Sequence, residues 1–256
     1  MSELNFIIPD WKVPKAIKAF VTTRVGGVSE SQFESLNLAQ HVGDAATAVI
    51  SNRKKLALAE NSVTQWQWLK QVHGTGVAEA DLVSGEIEAD AWVCAQPNIA
   101  CCVLTADCLP VFIAEKEGIE IGIVHAGWRG LSEGVIEATV VKMAAQPKNL
   151  IAWFGPAIGA CHFEVGADVK AAFLNKVSDS TNRNLVEKCF LQTDTKNKYM
   201  ADIYSLAKIR LNNLGIVEVS GGQHCTFCDV NSFYSHRRDG NSGRMASVIY
   251  MEMSDE

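Results

Sequence analysis

A chain of 256 residues, 48% of them hydrophobic and 20% charged, is long enough to bury a substantial core. Its 23 Lys and Arg stand against 29 Asp and Glu for a formal charge of -6, and the basic residues are scattered, which argues against a general nucleic-acid backbone binder. There is no apolar run of membrane-spanning length, no signal-peptide pattern, no linker and no internal repeat, so the expectation is one cytoplasmic domain over 1–256 with no membrane partner.

In chain order, the run Ala16 to Thr23 predicts a strand that ends at Arg24-Val-Gly-Gly27, where a turn needs glycine's backbone freedom. A polar loop through Leu36-Asn37-Leu38 and His41 leads to a helix predicted over 45–60, with Asp44 as N-cap and Arg53 directed at a site or at water. Two short apolar runs, 99–105 and 109–114, read as buried strands broken at Asp107-Cys108. A further strand over 120–125 passes through Gly127 and Gly130 into a helix over 131–143. That turn aims free N–H groups and the positive end of a helix dipole at the space beside His125, an environment suited to phosphate.

The second half predicts a strand over 150–154, a turn from Gly155 to Gly159 and helices over 167–174 and 203–214, with Gly215 as the stop of the latter. A last strand covers 245–250, and Arg237, Arg238 and Arg244 near it are candidate anion contacts. In a reducing compartment the eight cysteines are thiols, and Cys94, Cys101, Cys102, Cys161 and Cys189 read as small buried hydrophobes.

Three segments carry the chemistry: Gln71-Val-His73-Gly74, Thr105-Ala-Asp107-Cys108-Leu-Pro110 and His125-Ala-Gly-Trp-Arg-Gly130. Each places a soft ligand where an apolar run meets Gly or Pro. Two imidazoles and a thiolate suit zinc or copper, and three protein ligands leave a position open for water or substrate. Since 35 residues separate His73 from Cys108 and 17 separate Cys108 from His125, only a fold can assemble them; the bland alternatives are a hydrogen-bonded core His and an inert thiol. Asp107 is a candidate to orient an imidazole, or a turn carboxylate capping nearby N–H groups.

A second pattern, His162-Phe-Glu164 with Cys225-x-x-Cys228, superficially matches the zinc nucleobase deaminases. It fails as a deaminase signature, because His224 stands where proline belongs and 61 residues separate Glu164 from Cys225. The Cys225/Cys228 pair alone reads as a redox pair, half a zinc site or two packed thiols, with packing favoured because no second Cys pair of matching spacing exists.

The three segments, together with Thr23-Arg-Val-Gly-Gly-Val-Ser29, Ser35-Leu-Asn37-Leu38, Gly155-Pro-Ala-Ile-Gly159, Phe163-Glu-Val-Gly166, Tyr199-Met-Ala-Asp-Ile-Tyr204, Ser235-His-Arg-Arg238 and Gly243-Arg-Met245, resemble the YfiH-type laccase-domain family over nearly the whole chain. The resemblance implies an α+β fold of mixed sheets flanked by helices, similar to that of Cys/His toxin deamidases. It also implies a zinc site at His73, Cys108 and His125, which would be the catalytic residues too. The implied activity is phosphorolysis of adenosine, inosine and methylthioadenosine with adenosine deamination beside it, in a monomer or homodimer. Its partners would be purine nucleosides and phosphate, with Arg53, Arg129 and Asn37 as candidate substrate or phosphate contacts and copper as an alternative metal.

Genuine copper-dependent polyphenol oxidation needs a histidine-rich, oxygen-reducing copper cluster, whereas this chain has six His in all. Two other readings stand beside the phosphorylase. One is a cysteine hydrolase with Cys108 as nucleophile and His125 as its base, fitting the family's link to peptidoglycan-precursor correction. The other is a metal or nucleoside sensor without turnover.

Overall fold

Side chains that alternate between two apolar layers determine the architecture, which a computed structural model describes for residues 3–83 and 85–253. The first half contains β1 (Phe6–Ile7), β2 (Ile17–Thr22), α1 (Ala46–Ala59), β3 (Gln65–Lys70), β4 (Val77–Glu79), β5 (Ile87–Glu88), β6 (Ala91–Cys94) and β7 (Ile99–Thr105). Next come β8 (Leu109–Glu115), β9 (Ile121–Ala126), α2 (Trp128–Glu133), α3 (Val135–Lys142) and β10 (Leu150–Phe154). The remainder comprises β11 (Glu164–Gly166), α4 (Ala167–Leu174), α5 (Ser180–Lys188), β12 (Phe190–Gln192), β13 (Lys198–Ala201), α6 (Ile203–Asn213), β14 (Val219–Gly221), α7 (His236–Asp239) and β15 (Met245–Met251).

One mixed six-stranded sheet has the order β1-β2-β15-β7-β3-β5 and a second has the order β14-β10-β8-β9-β6-β4. A small antiparallel sheet, β11-β13-β12, stands beside them. In β7, Cys101 and Val103 join Phe112, Ile121 and Ile123 of the second sheet in a core between the two sheets. Ala100, Cys102 and Leu104 of the same strand face the opposite way, into a cluster with Leu56 of α1. Likewise Leu109, Val111 and Ile113 of β8 face outward onto α2, α3 and α6. Period-two alternation with both faces buried is why these strands read as continuous apolar runs. The α+β class with mixed sheets and flanking helices is as expected.

Register brings the ends of several strands together. β3 runs parallel to β7, so both finish at the same edge of the first sheet. β8 runs antiparallel to β9 with Leu109 opposite Ala126, and β15 antiparallel to β7 with Met245 opposite Thr105. The segments after β3, β7, β9 and β10, and that before β15, therefore converge at one end of the sandwich.

Two boundaries differ from the sequence reading. The helix expected over 131–143 begins earlier and is broken into α2 and α3 at Gly134, whose φ of 102° is left-handed backbone that a side chain disfavours. Asp44 is not the cap of α1: Ala45 holds that position without a side-chain cap, while Asp44 accepts from Ser29 and Asn37.

Candidate metal centre and its cavity

His73 follows β3, Cys108 follows β7 and His125 lies at the end of β9; their ligand atoms all lie within 4.8 Å of one another, close enough to hold a metal ion. Cys108 Sγ is 3.7 Å from His73 Nε2, and the two imidazoles meet edge to face with centroids 4.7 Å apart. His125 is buried, Cys108 half-buried and His73 exposed, so the cluster opens to one side.

Backbone conformation at two of the three turns is unusual. His73 has φ 60° and Asp107 has φ 89°, left-handed values that non-glycine residues adopt only when their surroundings hold them. For His73 the holding group is Asp90, fully buried, whose carboxylate accepts from the backbone N–H groups of Val72, His73 and Gly74 at 3.3, 2.9 and 2.6 Å. The same carboxylate is 2.8 Å from His125 Nδ1, which leaves Nε2 to face the cluster. Gln71 completes the turn: its side-chain amide donates to Leu104 O at 2.8 Å and accepts from Leu104 N at 2.7 Å, continuing the β3–β7 pairing beyond the strands.

Gly127 marks the closest approach of backbone to this cluster. A Cβ there would lie 2.8 Å from His73 Cδ2 and 3.2 Å from Cys108 Sγ. Only glycine lets α2 start this close to the ligands.

The electrostatics couple the thiol to the buried imidazole. Burial opposes a thiolate at Cys108, but the charge of His125 and hydrogen bonds from His125 and His73 outweigh it and bring the thiol down to about 6. Burial likewise opposes a charged His125; the Cys108 thiolate and the Asp90 carboxylate overcome it and push the imidazole up to about 9. Asp90 itself is held below the usual carboxylate range, since its bonds to His125, Gly74 and His73 outweigh its burial. A thiolate facing an imidazolium is the form these groups take without a metal; deprotonated sulfur and imidazole are the forms that ligate one.

The cluster forms one wall of a cavity of about 430 Å³, whose other walls include His41, Phe163, His236, Arg129, Arg237 and Arg244. None of those three arginines makes an ion pair among the described residues. Arg129 lies over the Trp128 ring, Arg237 is bonded to the carbonyls of His162 and Glu164, and Arg244 to those of Ser242 and Gly243. Burial lowers the Arg244 pKa, and the nearby Cys108 and Asp107 partly restore it. His41 is shifted toward its neutral form, first by burial and then by Arg244.

Several candidate residues sit elsewhere than expected. Asp107 is in the cavity wall but orients no imidazole, and it does not cap its own turn: Thr226 Oγ1 donates to it at 2.6 Å and Arg237 N at 2.7 Å, so it ties its turn to two segments distant in the chain. Asp90, flanked by Ala89 and Ala91, carries the imidazole instead, and nothing in its local sequence distinguishes it from a surface turn acid. Asn37 is buried away from the cavity, accepting from Ala39 N and Arg244 N and donating to Ala39 O and Asp44, so it supports Arg244 rather than lining the site. Arg53 also lies outside this cavity: it donates to Leu38 O and stacks 4.0 Å over Trp68, lining a shallower cleft with Gln40 and Glu86. Arg238 turns to the carbonyls of Thr226, Phe227 and Phe233.

The cysteine reading holds for Cys94, Cys101, Cys102 and Cys189, which are buried thiols. It does not hold for Cys161 or for a packed Cys225/Cys228 pair. Cys161 and Cys228 are exposed and Cys225 half-buried, and with His162 they form a second group able to hold a metal ion. Glu164 takes no part in it, pairing at 3.8 Å with Lys198.

Residues 18–252 match the family model described as multi-copper polyphenol oxidoreductase laccase. The chain is 44% identical over 255 residues to a protein of Escherichia coli named purine nucleoside phosphorylase YfiH, covering 98% of this chain and all of that one. It is 43% identical over 247 residues to purine nucleoside phosphorylase PA4543 of Pseudomonas aeruginosa, covering 96% and 98% of the two chains. Among solved structures, protein NMB0706 of Neisseria meningitidis superposes with a TM-score of 0.91 at 40% identity over 97% of this chain and all of its own. The YfiH structure of Bacillus licheniformis gives 0.83 at 29% identity over 92% and 93%. Sequence and fold agree along almost the entire length, and the chain belongs to the multi-copper polyphenol oxidoreductase laccase family of YfiH-type proteins.

Proposed function

We propose that this protein is a zinc-dependent purine nucleoside phosphorylase, converting adenosine, inosine and methylthioadenosine with phosphate into the free base and the corresponding ribose 1-phosphate, with adenosine deamination as a side activity. The observation that carries this reading is the convergence on one cavity of His73, Cys108 and His125 with three arginines that make no ion pair among the described residues. Relatives named purine nucleoside phosphorylase support it over nearly the full chain. A volume of about 430 Å³ suits a nucleoside with phosphate, falling within the range of roughly 300–1,000 Å³ usual for small-molecule sites.

The donor set fits zinc: two imidazoles, one of them oriented by a buried carboxylate, and a thiolate whose formation the site already favours. His73, Cys108 and His125 would hold the ion. When bound, zinc supplies a Lewis acid with one open position for substrate.

In phosphorolysis a phosphate oxygen forms a bond to the anomeric carbon while the bond from that carbon to the purine nitrogen breaks, the bonding pair leaving with the base. Arg129, Arg237 and Arg244 bind and orient the phosphate dianion, because guanidinium groups match its oxygens bidentately. Proton delivery to the departing base falls to His236 in the cavity wall. His236 Nδ1 lies 2.7 Å from the Gly240 carbonyl, an acceptor, so Nδ1 carries a proton there and Nε2 delivers one to the departing base when the ring is an imidazolium, returning to a lone pair afterwards. His41, biased toward neutral, can hydrogen-bond a sugar hydroxyl. In deamination water would add at the purine C6 in the same cavity and the 6-amino group would leave as ammonia, giving inosine.

A specific observation favours a second reading. Asp90, His125 and Cys108 are arranged as carboxylate, imidazole and thiolate, the constellation of a cysteine hydrolase. Mass-spectrometric product analysis of zinc-loaded protein with adenosine, with and without phosphate, separates the two. Phosphate-dependent adenine and ribose 1-phosphate, absent with His73→Ala and Cys108→Ala, is the expected result. No conversion of nucleoside, together with a covalent acyl adduct on Cys108 from an amide substrate, would overturn the phosphorylase and leave the hydrolase.

A further inference from the structure

We propose that Cys161, His162, Cys225 and Cys228 form a second zinc site, structural rather than catalytic, that clamps the 225–228 turn to the segment between Ile158 and Phe163, two residues that line the cavity. It shares no residue with the first cluster. Its four donor atoms also lie within 4.8 Å of one another.

The sulfur–sulfur distances match a tetrahedral ion, and the imidazole nitrogen stands a few tenths of an ångström closer to the sulfurs than such an ion would set it. With Zn–S near 2.3 Å and Zn–N near 2.0–2.1 Å, sulfurs of a tetrahedral site stand about 3.8 Å apart and sulfur and nitrogen about 3.6 Å apart. Cys161 Sγ lies 3.8 Å from Cys228 Sγ and 3.9 Å from Cys225 Sγ, while His162 Nδ1 lies 3.1 Å from Cys161 Sγ and 3.3 Å from Cys228 Sγ. The sulfurs are thus far beyond the roughly 2.05 Å of a disulfide. Three thiolates and one imidazole make a closed Cys₃His set with no position left for substrate, which is the composition of structural zinc.

Surrounding contacts hold the donors in place. Residues 225–228 form a tight turn in which Cys228 N donates to Cys225 O, and Gly159 N donates to Cys225 Sγ at 3.2 Å. The His162 ring stacks on Phe227 with centroids 4.1 Å apart and planes 16° from parallel, which fixes its orientation. Backbone N–H groups on a ligating sulfur and packing on a ligating imidazole are the supports such sites carry.

The consequence for the first site runs through two residues. Thr226, inside the Cys225–Cys228 turn, donates to Asp107 beside Cys108, and Arg237 bonds to the carbonyls of His162 and Glu164. A metal at the clamp would hold Arg237 in the cavity wall and, through Thr226, the Asp107 turn, without touching substrate.

The test is zinc stoichiometry of protein purified under phosphine reduction, followed by cobalt titration. Wild type should carry two equivalents and Cys228→Ser one. His73→Ala/Cys108→Ala should also keep one, and should give the visible and thiolate charge-transfer bands of tetrahedral cobalt, lost when Cys228→Ser is added. Cys228 is exposed, so its substitution leaves the core intact. A single equivalent in wild type, unaffected by Cys228→Ser, would overturn the proposal, as would a Cys161 disulfide with Cys225 or Cys228 in place of the second ion. The count is independent of nucleoside turnover, so failure of the phosphorylase reading leaves it standing.

Discussion

Among individual residues, Asp90 and Cys108 set the chemistry of the site. One buried carboxylate holds the left-handed His73 turn and the tautomer of His125, and His125 in turn stabilises the thiolate. With the thiol lowered to about 6, chelator-treated protein should react with iodoacetamide at Cys108 with a midpoint near pH 6, the rate rising above it as the thiolate forms and falling below it. In Asp90→Asn the imidazolium loses its partner, the ion pair weakens, and the midpoint should move toward the roughly 8.5 of an ordinary thiol. Peptide mass spectrometry across pH reads both. An unchanged midpoint in Asp90→Asn would show that the carboxylate does not act through His125. Such a residue is hard to find by sequence: a ligand pattern needs soft donors, and Asp90 donates to no metal; its role arises only from burial against two turns distant in the chain.

Elements matter through where they end. β3, β7 and β9 each stop at the same end of the sandwich, and α2 starts there because Gly127 has no side chain. Gly127→Ala would drive a methyl into His73 and Cys108, so the turn or the ligands must shift. The expected outcome is at least a tenfold loss of zinc affinity, read by competition with a chromophoric chelator, with far-ultraviolet circular dichroism unchanged. Retained affinity would show that the turn yields without moving the ligands. This level was the most legible in sequence. The strand over 99–105 was bounded as found, and that over 109–114 to within one residue, because a strand buried on both faces writes an unbroken apolar run. The break of the 131–143 helix at Gly134 was missed, since glycine inside an apolar helical pattern leaves the periodicity intact on both sides.

At the scale of the whole molecule, two sheets share an apolar interior, and the site sits at one end of it. Phe112, fully buried, packs edge to face with Trp153 and Trp11 within that interior. Phe112→Ala should cost about 3–5 kcal/mol, seen as a lower urea midpoint with an unchanged slope. A cost under 1 kcal/mol would mean that the two sheets close over the space. The sequence by itself marked most of the long buried elements, because apolar periodicity and turn glycines are local properties, whereas the fold class and the grouping of His73, Cys108 and His125 came from the resemblance of the whole motif order to a family. Tertiary structure alone decided which polar groups share a cavity. It chose Asp90 over Asp107 and Arg244 over Arg53, and it joined Cys161 and His162 to a cysteine pair whose partners the spacing did not disclose. The physical reason is that strand register and loop packing bring together residues far apart in the chain, and no local pattern encodes the distance between them.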